Sequence, residues 1–199
     1  MQTEGRNNFM HYTTMIRAKN DATISGDALT VKLLENICIL AIADGLGSGT
    51  EANASATVVI KELEENPELE LSELLRRSDL KMLGLRGAVA AVMRVCFQRN
   101  HIQFASIGNI SCYIFRPSEG KVIYPRQMRG YLSGRTQHFV VQALEYKKGD
   151  FFLLHTDGIE ITDIRSLLLE NEFIKLQQVQ SSYLTLKNDD ASLIAARLF

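Results

Sequence analysis

Tryptophan is absent from this 199-residue chain, proline and cysteine occur only three times each, and the formal net charge is -1. Each scarcity excludes something. So few prolines, with no Gly/Ser-rich or repeated stretch, exclude a low-complexity linker, a polyproline segment and a solenoid. Cys38, Cys96 and Cys112 sit inside apolar runs with no clustered spacing, which excludes a disulfide framework and a zinc-like Cys/His set and leaves them as small buried hydrophobes. Lys and Arg are scattered rather than gathered in a stripe, so there is no basic footprint and no nucleic-acid partner is expected. The longest apolar stretch, Ile37 to Ala43, is far too short to span a bilayer, and Met1-Gln2-Thr3-Glu4-Gly5-Arg6 has no apolar signal core. No membrane partner is therefore expected, and a reducing cytoplasmic location is.

What is present is a composition of 46% hydrophobic and 23% charged residues, that of a compact fold able to bury a full core, and a single domain over 1–199 is expected. Met10 to Ala18 and Asp27 to Leu34 alternate as strands do, and Ile37 to Ala43 reads as a strand buried on both faces. Thr50 to Glu65 carries apolar residues at helical spacing and stops before Pro67. Leu69 to Leu83 repeats the pattern, with leucines on one side and charges on the other. Strands return at Ala88–Phe97, His101–Ile107 and Ile110–Phe115, read as a meander with turns at Gln98–Asn100 and Gly108–Asn109. Further strands are expected at Lys121–Tyr124, Phe139–Glu145, Phe151–His155 and Ala191–Leu198, with a helical stretch over Asp163–Tyr183. The sum is an α+β fold: a central antiparallel β-sandwich flanked by helix pairs.

Three acidic motifs stand at strand ends. Asp44 closes an apolar run and enters the glycine turn Gly45-Leu46-Gly47-Ser48-Gly49. Asp157 follows Phe151 to Thr156 and precedes Gly158. Asp189-Asp190 precedes the last strand. A carboxylate leaving a buried strand into a glycine turn is held at one point while the backbone folds away. Three such ends can converge on a hard cation, which prefers oxygen ligands. Any one of them alone also fits an ordinary Asp-Gly turn or a solvated loop tip. Asp27, in Ser25-Gly26-Asp27, is a fourth acid and reads as a group orienting water beside such a metal, or as part of a plain turn. Arg86 precedes a buried strand and reads as a phosphate anchor or as a surface residue. His155 reads as a core or supporting histidine.

In this order Ser25-Gly26-Asp27, Asp44 to Gly49, Ser106-Ile107-Gly108-Asn109, Thr156-Asp157-Gly158 and Asp189-Asp190 resemble the motifs of the metal-dependent protein phosphatases of the protein phosphatase 2C (PPM) type. The resemblance covers essentially the whole chain. With Arg86-Gly87-Ala88, Gly130 to Gly134 and Asp163 to Ser166, the chain is most similar to small stand-alone bacterial members that serve the stressosome. The resemblance implies two ions, Mn²⁺ or Mg²⁺, with Asp44 bridging them, the Gly45 carbonyl on one, and Asp157 and Asp189 on the other. It implies hydrolysis of phosphoserine or phosphothreonine on stressosome-type signalling proteins, resetting a stress response without a phosphoenzyme. Two departures stand out. Leu46 replaces a histidine proposed as the general acid in eukaryotic members, and Asp21 to Ile24 contain no match to their phosphate-binding arginine. Those departures motivate the alternative of a non-catalytic binding module that docks on the same partners.

Overall fold

The computed structural model describes residues 1–135, 137–169 and 184–199. Its strands are β1 (Gln2–Arg6), β2 (Met10–Arg17), β3 (Asp27–Leu33), β4 (Ile37–Gly45), β5 (Ala88–Cys96), β6 (His101–Ile107) and β7 (Ser111–Arg116). They continue as β8 (Lys121–Ile123), β9 (Gln142–Glu145), β10 (Phe151–His155), β11 (Ile159–Ile161), β12 (Leu184–Leu186) and β13 (Ala191–Leu198), and the helices are α1 (Gly49–Glu65), α2 (Leu71–Leu80) and α3 (Ile164–Leu169). One antiparallel sheet runs β1-β2-β13-β10-β7-β8 and a second runs β3-β4-β5-β6-β9, with β11 and β12 paired as a small separate ribbon.

The unbroken apolar run of β4 is explained by burial on both faces. Cys38, Leu40 and Ile42 pack between the sheets with Met93, Phe104, Phe152 and Ile194. Ile39, Ala41 and Ala43 face the other way, against Ala56, Val59 and Leu63 of α1 and Leu71, Leu74 and Leu75 of α2. Burying one such aliphatic side chain is worth about 1.5–3 kcal/mol, so alternation of polar and apolar residues would be costly here. The second sheet's outer face is thus covered by a helix pair. Over the first sheet, Leu153, Leu193 and Ala195 pack with Ile159, Leu167 and Leu184, so α3 and the β11-β12 ribbon cover it. Arg94, 6% exposed, donates from Nη2 to the Pro67 and Leu69 carbonyls at 2.7 and 2.5 Å, tying the loop between α1 and α2 to β5.

The expected α+β sandwich is therefore the fold, and the strand and helix boundaries agree with the sequence to within a few residues. The expected meander is corrected. β6 pairs with β5 and β9, whereas β7 pairs with β10 and β8 in the opposite sheet. Gly108, at φ +103°, takes the chain across rather than back, and a Cβ there would stand 2.2 Å from Val89 Cγ1. Of the helical stretch expected over Asp163–Tyr183, α3 accounts for Ile164–Leu169, and 170–183 lie outside the described residues. Strands β1, β11 and β12 were not expected. Among the described residues no helix is long and apolar enough to cross a membrane.

Candidate metal centre

Strand parity places the first two acids. Asp44 shares the β4 face of Cys38, Leu40 and Ile42, which looks toward the opposite sheet, and it is the cross-strand partner of Asp27 in the β3–β4 pair. Both carboxyls therefore enter the gap at one end of the sandwich. Asp157 leaves the end of β10 and Asp189-Asp190 lead into β13, so the first sheet delivers its acids to the same end. Asp44, Gly45, Asp157, Asp189 and Asp190 line one cavity of about 390 Å³, together with Lys19, Gly47, Ser48 and Asn109 among others.

A hydroxyl relay joins the two sheets beneath that cavity. The Ser192 amide donates to Thr156 Oγ1 at 2.9 Å, and the Thr156 hydroxyl donates to Asp27 Oδ2 at 2.9 Å. The Asp27 amide donates to Ser25 Oγ at 3.2 Å, so the Asp27 backbone is held by its own turn as well. Asn109 Nδ2 donates to Asp157 Oδ2 at 3.0 Å, giving the Ser106 to Asn109 motif a positioning role. The Lys19 amide donates to Asp190 Oδ1 at 2.9 Å, and Lys19 Nζ lies 3.4 Å from Asp189 Oδ1.

The glycines of the two Asp-Gly motifs are there for close approach. A Cβ on Gly45 would stand 1.8 Å from the Ala52 carbonyl oxygen of α1, and one on Gly158 would stand 2.0 Å from the Asp190 carbonyl oxygen. Neither neighbour is a flexible side-chain end, so α1 or the Asp189-Asp190 segment would have to retreat. Gly45→Ala is expected to destabilise the fold by about 3 kcal/mol, lowering the melting temperature by roughly 6–12 °C for a chain of this size. Thermal unfolding of the metal-free protein measures it, and a melting temperature within 2 °C of wild type (about 1 kcal/mol or less) would contradict this account of the packing.

Electrostatically the cluster is strained by like charge. Burial, then the charges of Asp27, Asp157 and Asp190, push the Asp44 carboxyl up to about 8. Burial, with Asp190 adding to it and the Ser192 and Thr156 hydroxyls opposing it, pushes Asp27 up to about 6. Asp190 Oδ2 and Asp27 Oδ1 are buried with no donor within hydrogen-bond distance, the Ser192 hydroxyl easing Asp27 only at longer range. Crowded carboxylates with buried oxygens lacking a donor are the donor set of a hard divalent cation. Among the described residues, no three His, Cys, Asp or Glu side chains are drawn up into a closed cage. A shell completed by the Gly45 carbonyl and water fits this geometry, since Mg²⁺ keeps several waters.

The structure thus brings Asp27, Asp44, Gly45, Asp157 and Asp189 together. It does not bring Arg86 into the cavity: its guanidinium pairs with Glu51 and lies over Gly47 at the rim. His155 is buried, donates from Nδ1 to the Thr156 carbonyl at 2.8 Å, and is held neutral because burial lowers its pKa. Sequence reading missed Lys19 and, although it placed Asp190 in the Asp189-Asp190 motif, carried only Asp189 to the site. Asp190 is 5% exposed and electrostatically tied to both Asp27 and Asp44, and Lys19 brings a cation to the acid cluster. No local pattern marks Lys19; only the β2–β13 register, which sets Arg17 opposite Ala191, carries it to Asp189.

Comparison with known proteins gives a consistent picture. The family model for stage II sporulation protein E (SpoIIE) matches residues 35–199. The phosphoserine phosphatase RsbX of Bacillus subtilis is 35% identical over 182 residues, with 90% of each chain covered. A crystal structure of RsbX in complex with magnesium superposes with a TM-score of 0.90 at 29% identity over 100% of both chains. A chain solved in work on the bacterial stressosome, described as a modular system adapted to control secondary messenger signalling, superposes at 0.81 with 29% identity, covering 94% of this chain and 98% of that one.

Proposed function

Given that the chain belongs to the SpoIIE family of PP2C-type phosphatases, we propose that it is a cytoplasmic, Mn²⁺- or Mg²⁺-dependent serine/threonine phosphatase acting on phosphorylated stressosome proteins. The observation that carries this reading is the convergence of Asp44, Asp157 and Asp189 on one cavity, in a fold that superposes with magnesium-bound RsbX. Asp44 and the Gly45 carbonyl would hold metal from the β4 side, and Asp157 and Asp189 from the opposite sheet. Such ions supply activated water and neutralise charge on the phosphoryl group.

The chain's own residues supply orientation. Thr156 and Ser25 fix Asp27, the acid paired with Asp44, and Asn109 fixes Asp157. Leu46, at the rim, has no proton to give. No Cys or His lines the cavity, and its serine, Ser48, is not set in a nucleophile motif, so direct attack by water suits the residues present. Arg86 would meet a phosphate only by leaving Glu51.

The test is phosphate release from a reconstituted, phosphorylated stressosome with Mn²⁺ and with chelator. Release is expected with Mn²⁺ and a loss of at least about 10³-fold is expected without it, several kcal/mol of charge stabilisation having been removed. Tight binding with no release under either condition would instead support a docking module.

A further inference from the structure

We propose that an exposed apolar strip formed by Leu46, Leu85, Tyr131 and Leu83 is the surface on which the phosphorylated protein substrate docks. The proposal rests on the phosphatase reading above. Leu83 is 82% exposed, Tyr131 46%, Leu85 40% and Leu46 36%. Isolated exposed leucines need no explanation, but contiguous ones next to a functional cavity do.

Contiguity follows from the backbone. Leu46 lines the cavity, and its amide donates to the Gly87 carbonyl at 3.0 Å, which sets Leu46 beside the segment carrying Leu85. Gly87, at φ +97°, lies under Tyr131: a Cβ there would stand 2.9 Å from the Tyr131 ring. Ala88 and Leu132 exchange backbone hydrogen bonds of 3.1 and 2.8 Å. Gly134 backs onto the Leu83 backbone, with 3.1 Å from its Cβ position to Leu83 Cα. The loop carrying Tyr131 and the segment carrying Leu83 and Leu85 therefore form one ledge that starts at the cavity.

The ledge is held in place. Asp79, 1% exposed, accepts from the Ser133 and Gly134 amides at 2.7 and 3.2 Å through Oδ1. A buried carboxylate spent on a surface loop fixes apolar groups outward, and ordering them beforehand lowers the entropy lost on docking. Charge selects the occupant. Arg129 and Arg135 flank the loop and are both exposed, which suits a phosphorylated, acidic segment with apolar side chains next to its phosphoserine.

Leu83→Asp and Tyr131→Ser in the full chain, loaded with Mn²⁺, test this with two substrates. Hydrolysis of p-nitrophenyl phosphate, held in a cavity that Leu83 and Tyr131 do not line, should stay within about twofold of wild type, whereas kcat/KM for the phosphorylated stressosome should fall by about tenfold or more through KM. Equal losses with both substrates, or none with the protein, would overturn the proposal. If the wild type hydrolyses neither, the phosphatase reading fails on its own. Docking is then judged by titrating phosphorylated stressosome into Asp44→Asn with and without Leu83→Asp: about tenfold weaker binding supports the strip, and equal binding refutes it. A wild-type dimer that Leu83→Asp turns into a monomer would make the strip a self-association face and overturn it as well.

Discussion

Asp44→Asn is expected to abolish phosphate release and at the same time to raise the melting temperature of the metal-free protein. The two effects share one cause. Burial and three neighbouring carboxylates push the Asp44 carboxyl up to about 8, so at neutral pH the fold either holds a proton there or tolerates a disfavoured anion. An amide has nearly the same shape and no charge, and its NH₂ can donate to Asp27 across the β3–β4 pair. Removing the repulsion is worth about 1–2 kcal/mol, or roughly 3–6 °C for a chain of this size. Catalysis should be lost because, in the proposed function, Asp44 is one of the carboxylates that gather around the cation. Losing a metal-binding carboxylate should cost about 10³-fold or more in rate. Thermal unfolding without metal and phosphate release with Mn²⁺ measure both halves. Wild-type turnover, or a metal-free variant that melts below wild type, would refute the assignment.

The same tension explains what could be read in the sequence. β4 was legible because a strand buried on both faces must be apolar throughout, and α2 because its leucines recur on one side. The Asp27–Asp44 pair was also within reach. The short connection between Leu33 and Ile37 fixes the register of this hairpin and sets Asp27 opposite Asp44, a direct pairing that goes beyond the reading of Asp27 as an acid orienting water beside the metal. β1, Gln-Thr-Glu-Gly-Arg, is exposed over most of its length and carries no hydrophobic alternation to find. The false meander had a different origin: residue periodicity marks β6 and β7 as strands but contains nothing about which sheet each joins. Lys19 was illegible for the same reason, since its role depends on how distant strands pair, and so was which face of the site Asp190 serves beside Asp189.

Proton and metal should compete at this site, and the sign of the effect is fixed by the direction of the shifts. Asp44 and Asp27 have folded values of about 8 and about 6, both above their unfolded value of 3.8. Between roughly pH 4 and 8 the folded state therefore binds more protons than the unfolded chain, so stability without metal falls as pH rises. The penalty is absent below the unfolded value and complete above about 8, and the part of it that accrues between pH 5.5 and 8, mostly on Asp44, amounts to roughly 2–4 kcal/mol. From pH 5.5 to 8 the metal-free melting temperature should drop by roughly 5–10 °C. Mn²⁺ should reverse the drop, because a divalent ion satisfies the same carboxylates that otherwise need protons. Ion binding at pH 7 should then release about one proton, seen in calorimetry as a heat that depends on the buffer's ionisation enthalpy. A melting temperature flat with pH, together with metal binding that releases no proton, would mean that these acids do not crowd one another. If the acids do crowd, Asp44→Asn should flatten the metal-free pH dependence and remove most of the proton release, leaving Asp27 as the remaining strained carboxyl.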